Sequence, residues 1–324
     1  MAQYQMSEFD IFYISYDEPQ KEEFWAKLLD IAPWAKRIDS VKGFDAAHKA
    51  AANASETDRF ITVDGDNLVH PIFFEAEIDI PEKYEDCVLS WNSVNAINGL
   101  TYGNGGLKLW TKDFVLNMKT HEAAESEDEK LDFCWKDKYI QLRNIYSDTF
   151  PNGSPFQAFR AGFREGVKMT LDRGNRIDPE KIKNYIFQEN LRRLLIWASV
   201  GADADNGLWA IYGTRLGMYL TNLTDDFVMS NISDYDWFKE YFNNEVLPQF
   251  ACQPGEIGSA SCFRTNVTYN ENKLKAESSR IKDELKKGLG VDIADLDAEQ
   301  SKFFKFACRT QLRQSKNPLT TENE

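Results

Sequence analysis

Asp64-Gly65-Asp66 is the place in this sequence where residue types and spacing could do chemistry. The run before it, Arg59-Phe60-Ile61-Thr62-Val63, is β-branched and aromatic, as a buried strand would be. Two carboxylates at i and i+2, beyond the carboxyl end of a strand, can both reach one hard divalent cation. Gly65 lets the backbone turn sharply and approach a ligand closely. Mg²⁺ or Mn²⁺ held by one or two carboxylates fills its remaining positions with water and substrate phosphates, so the pattern suggests a nucleoside-diphosphate substrate. The same three residues also make an ordinary tight turn, and the elements around them must decide between the two readings.

Those elements alternate. Residues 9–15 read as a strand ending in Tyr16-Asp17-Glu18-Pro19, and 20–29 as a helix that buries Phe24, Trp25, Leu28 and Leu29. Residues 35–41 form a second strand, 44–54 an alanine-rich helix and 59–63 a third strand. The alternation predicts an α/β fold with a mostly parallel central sheet and right-handed crossovers. Ligands bind such sheets at the carboxyl ends of the strands, where Tyr16-Asp17 and Asp64-Gly65-Asp66 both fall. Further strands are predicted at 73–80 and 87–92. Residues 98–110 then carry Gly99, Gly103, Gly105 and Gly106 between Tyr102 and Trp110. This is a loop that turns tightly or lets a ligand touch backbone, without the GxxxxGK[ST] spacing of a P-loop.

Ser154-Pro155 reads as a capped helix start. Phe156, Phe159, Phe163 and Val167 make its apolar stripe, and Arg160, Arg164 and Lys168 stand at i, i+4, i+8 on another face. That face is either a solvated basic edge or a contact to a diphosphate or a nucleic-acid backbone. From 178 onward the chain is mostly helical, with helices predicted at 181–200, 207–220, 234–242, 271–289 and 298–312. Residues 250–261, rich in Gly, Pro and Ser, read as a flexible connection, and 315–324 as a disordered tail. The division is a core over 9–178, a helical C-terminal region over 179–314 and the tail.

Bulk properties narrow the classes. Hydrophobic residues are 42% and aromatics 13% of 324, a core-forming composition. No run is long and apolar enough to span a membrane, and the first residues lack the pattern of a secretory signal. Five scattered cysteines without a CxxC pair argue against zinc and against a disulfide framework, which fits a reduced, cytoplasmic setting. A net charge of −14 argues against a protein that coats nucleic acid indiscriminately, though not against a local basic groove. Acid concentrates at 122–132.

Taken in order, Asp10 to Pro19, Val41-Lys42-Gly43-Phe44-Asp45-Ala46-Ala47-His48, Val63-Asp64-Gly65-Asp66, Tyr102-Gly103-Asn104-Gly105-Gly106-Leu107-Lys108-Leu109 and Ser154-Pro155-Phe156-Gln157-Ala158-Phe159-Arg160-Ala161-Gly162-Phe163-Arg164-Glu165 resemble the GT-A glycosyltransferases of tailed phages over about residues 9–240. The group they are most similar to is the DNA-base glycosyltransferases linked to hydroxymethylated pyrimidines and base J. The resemblance implies a GT-A-like nucleotide-sugar-binding domain, a UDP-sugar donor and Mn²⁺ or Mg²⁺. It implies Asp66 as direct metal ligand, with Asp64 serving the ribose or the metal's waters. Ser15, Tyr16 and Asp17 would meet base and ribose, Gly43 and His48 would border the donor, and Gly105, Gly106 and Lys108 would border sugar and acceptor. Arg160 and Arg164 would neutralise phosphate or grip an acceptor strand. DNA carrying hydroxymethylated pyrimidines is the implied partner, its base reached by flipping or from a single strand. An inverting transfer needs a general base; Asp132 and Glu165 are candidates, with Asp148 behind them, and each could equally be solvated or paired. His48, in an alanine-rich helix, is more often a residue that makes a structural hydrogen bond. Two other functions share these residues: transfer to a polysaccharide, lipid-linked or protein acceptor, and a non-catalytic nucleotide-sugar-binding or virion protein.

Overall fold

The computed structural model describes residues 2–102, 106–120, 131 and 138–314; the tail at 315–324 and nearly all of the acidic run at 122–132 lie outside them. Ten strands lead the fold: Ala2–Gln5 (β1), Asp10–Ser15 (β2), Lys36–Asp39 (β3), Arg59–Asp64 (β4), Asn67–Val69 (β5), Glu77–Ile80 (β6), Val88–Asn95 (β7), Thr101–Tyr102 (β8), Leu107–Thr111 (β9) and Tyr139–Thr149 (β10). β1 and β6 pair with each other. The other eight form one sheet in the order β3-β2-β4-β9-β7-β10-β5, with β8 on β7. Lys21–Ile31 (α1) and Phe44–Ala54 (α2) supply the two crossovers that lay β3 and β4 parallel to β2.

The sheet is mixed, which corrects the expectation of mostly parallel strands. β9 runs antiparallel between β4 and β7, and β5 runs antiparallel on β10. The cause is local. The chain leaves β7, pairs back on it through β8 and re-enters the sheet centre as β9 five residues after Tyr102, a short return that antiparallel strands permit and parallel ones do not. The strand predicted at 73–80 is also corrected. Phe73 and Phe74 are both buried, which a half-buried strand's alternation forbids, and Pro71–Glu75 is a 3₁₀ turn; only β6 remains as strand.

The helices continue with Lys112–Asn117 (α3), Pro155–Lys168 (α4), Gln188–Trp197 (α5), Gly207–Leu223 (α6), Tyr235–Tyr241 (α7), Glu271–Leu289 (α8) and Ala298–Gln314 (α9). The helix predicted at 181–200 is broken because Ile186 takes extended backbone and Phe187 is also non-helical, leaving one turn, Ile182–Tyr185, ahead of α5. Ser259–Cys262 and Val267–Asn270 pair as a hairpin that takes in the end of the 250–261 stretch. No helix among the described residues is long and apolar enough to cross a membrane.

α4 begins as its sequence requires: Ser154 Oγ accepts from Gln157 N at 3.1 Å and Pro155 takes the first turn. It then crosses α6 backbone on backbone. A Cβ on Gly162 would lie 2.0 Å from Ala210 O, one on Gly166 2.2 Å from Thr214 O, and one on Gly213 2.3 Å from Phe159 O. Phe159, Phe163 and Val167 are buried against Trp209, Tyr212, Phe238 and Phe242. With its apolar face pinned there, α4 turns Arg160, Arg164, Glu165 and Lys168 towards the sheet edge.

α6 is held in turn by Arg215, which is 2% exposed. Its guanidinium donates to the carbonyls of Ala198, Ser278 and Ala294 at 2.9–3.0 Å and meets Asp295 at 2.8 Å. One side chain thereby ties α6 to the end of α5, to α8 and to the segment before α9. Arg215→Leu removes the donor to the carbonyls of Ala198 and Ala294 and the ion-pair partner of Asp295, at about 1–3 kcal/mol for each buried group left unsatisfied. A fall of about 3 kcal/mol or more in unfolding free energy is the expected result of a urea titration.

Candidate active site

The carboxyl ends of β2 and β4, the N-terminal end of α2 and the polar face of α4 enclose a cleft of about 1030 Å³. Ser15, Tyr16 and Asp17 enter it from β2, Gly43 and His48 from α2, Asp64, Gly65 and Asp66 from β4, Lys108 from β9, and Arg160, Arg164 and Glu165 from α4. Gly106 lies under Asp64, whose backbone N donates to its carbonyl at 3.0 Å. Gly105 and Asp132 lie outside the described residues. Asp148 is not among the lining residues and is engaged by His70 Nε2 at 2.9 Å.

One wall is acidic. Glu18 joins Asp64 and Asp66, and Gly65 permits this, because a Cβ there would lie 2.6 Å from Glu18 Oε2. Burial pushes Asp66 up to about 7, and the negative charges of Asp64 and Glu18 push the same way. Burial also raises Asp64, against the opposing pull of Lys108, and raises Glu18, against its hydrogen bonds to backbone N–H. Asp64 remains 36% accessible to the cleft, with Lys108 Nζ 3.8 Å from its Oδ2. Lys108 itself is 4% exposed, a cation built into the sheet beneath the carboxylates.

The facing wall is basic. Burial lowers Arg160 to about 9, with neighbouring Arg164 adding to the fall and Tyr235, Asp66 and Glu18 opposing it. Its guanidinium lies over the rings of Tyr235 at 5.2 Å and Phe238 at 5.7 Å, and its Nε finds no partner among the described residues. Arg164 donates to Ile232 O, and Lys168 Nζ stands 3.0 Å from Glu165 Oε1. Tyr102 OH donates to the other Glu165 oxygen at 2.6 Å. A cation coordinated here would take Asp64 and Asp66. Among the described residues no three His, Cys, Asp and Glu side chains gather closely enough to hold an ion unaided, so the rest of its shell would come from a diphosphate and water. Carboxylates crowded until they resist ionising fit such an ion, which would remove their repulsion.

His48 is buried, stacked on Phe44 at 3.9 Å, with Nδ1 2.9 Å from Phe44 O. Burial lowers it to about 3 and nearby Lys108 adds to the effect, so the ring is neutral and Nδ1 carries the proton. Nε2 is then an acceptor, and it has no partner among the described residues.

Several residues at or beside the cleft escaped the sequence reading as site residues. Lys42 meets Asp236 at 2.6 Å, Lys239 meets Asp17 at 2.9 Å, and Tyr16 stands edge-on to Tyr235, so α7 bridges the cleft mouth. Nothing in the α7 sequence signals this. Glu18 was findable, since it follows Tyr16-Asp17 at a strand's carboxyl end.

No protein-family model and no curated protein matches the chain. Among solved structures it is similar to a glycosyltransferase described as involved in the glycosylation of the major capsid of PBCV-1, at 15% identity over 43% of this chain and 93% of that one, with a TM-score of 0.27. It is also similar to the glycosyltransferase GlyE of Streptococcus pneumoniae TIGR4, at 16% identity over 74% of this chain and 65% of that one, with a TM-score of 0.25. At these TM-scores neither neighbour decides the activity.

Proposed function

We propose that the cleft binds a nucleoside-diphosphate sugar, with a UDP-sugar as the donor, and transfers the sugar to a hydroxyl acceptor with the help of Mn²⁺ or Mg²⁺. The observation that carries this reading is the pairing of walls: Glu18, Asp64 and Asp66 on one side, Arg160 and Arg164 on the other. A cation–diphosphate pair is the ligand that satisfies both at once. Bound at Asp66, with Asp64 beside it, the cation would offset charge on the departing diphosphate. Arg160 and Arg164 would hold the diphosphate against the acidic wall, Ser15, Tyr16 and Asp17 would take base and ribose, and His48 Nε2 would accept from a donor hydroxyl. At about 1030 Å³ the cleft exceeds the usual 300–1,000 Å³ of small-molecule pockets, so donor and acceptor group fit together.

The acceptor we propose is a hydroxymethylated pyrimidine in DNA. It is supported by the resemblance set out above and by the cationic face of α4, on a chain whose net charge of −14 otherwise opposes DNA. Incubation of the protein with UDP-sugars and hydroxymethyluracil or hydroxymethylcytosine DNA, read by nucleoside mass, tests it. Sugar consumption without a mass change in DNA moves the acceptor to a polysaccharide, lipid-linked sugar or protein.

Donor binding has a test that needs no acceptor. Because the Asp66 carboxyl is pushed up to about 7, protons compete with the cation below that pH. The stabilisation by UDP plus Mn²⁺, read as a rise in Tm, is expected to grow from pH 6 to pH 8; at 100 times Kd such a ligand contributes about 2.7 kcal/mol. A shift that is flat across this range, or absent, removes the metal site.

A further inference from the structure

We propose that Tyr102 and Trp197 are positioning residues that aim Glu165 at the acceptor hydroxyl, so that Glu165 receives its proton during transfer; this rests on the reading above. The three side chains come from β8, the end of α5 and α4, and all line the cleft. Trp197 Nε1 donates to the Tyr102 hydroxyl at 2.7 Å, and an indole has no other polar atom. With that lone pair taken, the hydroxyl's one proton is directed to Glu165 Oε2, 2.6 Å away. Burial and the neighbouring Glu165 drive the Tyr102 phenol far above its ordinary range, so it stays a donor. Arg193 lies 4.9 Å over the Tyr102 ring and Lys168 holds Glu165 Oε1 at 3.0 Å. Each carboxylate oxygen keeps a second lone pair, and Glu165 is 15% exposed.

The place suits the step. Glu165 follows Arg160 by five residues, about 7.5 Å along the α4 axis, and Arg160 faces the acidic wall. The two side chains leave α4 at different angles, and both line the cleft. The acceptor oxygen bonds to the anomeric carbon as that carbon's bond to the diphosphate oxygen breaks. The electron pair leaves with the nucleoside diphosphate, and the acceptor's proton passes to Glu165.

The same contacts would also pin α4 to the sheet without any part in proton transfer, and a mutant cycle separates the two roles. The probe is Mn²⁺-dependent release of UDP from UDP-glucose, UDP-galactose or UDP-N-acetylglucosamine with water as acceptor. Tyr102→Phe is expected to lower kcat about tenfold, a fraction of the 10²–10⁴ a general base supplies, with KM for the sugar nucleotide within about twofold. In a Glu165→Gln background the same change is expected to have no further effect. Should Tyr102→Phe fail to fold, Trp197→Phe carries the same cycle. Multiplying losses, or an unchanged kcat, overturn the inference and leave the parent reading standing. A wild-type chain that releases UDP from none of the three overturns both.

Discussion

Asp66→Ala is expected to abolish Mn²⁺-dependent binding of UDP and to lower sugar transfer by about a thousandfold, the roughly 4 kcal/mol in reach of metal-assisted charge stabilisation. The size follows from where Asp66 sits. Burial, Asp64 and Glu18 together push its carboxyl up to about 7. A folded-state value above the unfolded one means that the native chain holds a proton the unfolded chain has released. This residue therefore favours the native state at acid pH and loses that contribution as pH rises through about 7. Two opposite outcomes follow for one substitution. At pH 8 without metal, Asp66→Ala should melt higher than the parent, because a buried repulsion has gone. With Mn²⁺ and UDP the parent should melt higher than it does alone and the variant should not, because only the parent gains from the ligand. Calorimetry at pH 6 and 8, with and without Mn²⁺ and UDP, checks both signs. A variant that keeps the ligand-induced shift would place the metal elsewhere.

The second large effect lies away from the carboxylates. Gly162→Ala adds one methyl group and is expected to cost about 3 kcal/mol or more, at the upper end of overpacking penalties. The new Cβ would stand 2.0 Å from Ala210 O. The obstacle is backbone, so α4 and α6 must separate rather than a side chain swing away. Because α4 carries Arg160, Arg164 and Glu165, that separation is expected to lower transfer about a hundredfold, as an ångström of misplacement does, even in molecules that stay folded. Gly213→Ala, whose Cβ would meet Phe159 O at 2.3 Å, should behave alike from the other helix. Urea titration paired with a donor-release assay checks both losses. A variant with parental stability would show that the crossing has slack.

Much of the first third was legible. Phe9–Ser15 and Arg59–Val63 carry the apolar residues of buried strands, and the helices between them carry helical periodicity. The sheet's mixed direction was not, because direction depends on which strand a returning chain meets. β9 hid for a further reason: all five of its residues are buried, Lys108 among them. A lysine in a strand core breaks the apolar pattern that marks such strands, and the Asp64 carboxylate, 3.8 Å from its Nζ, gives it a reason to be there. The Arg160, Arg164, Lys168 ladder was legible as spacing, but not what it faced. That is set by the paired glycines of α4 and α6, 51 positions apart from Gly162 to Gly213, and by Tyr235, which covers Arg160 from a helix whose own sequence is unremarkable.

The cleft's two walls are also made at different times. Asp64 and Asp66 leave the ribosome early, while α4 gains its glycine-lined seat only once Gly207–Leu223 has emerged. At 5–20 residues per second the interval from Asp66 to Leu223 is on the order of ten to thirty seconds. Through it the nascent acidic wall has Lys108 beneath it but no settled facing wall, so a cation from the surroundings would meet the carboxylates before Arg160 and Arg164 do.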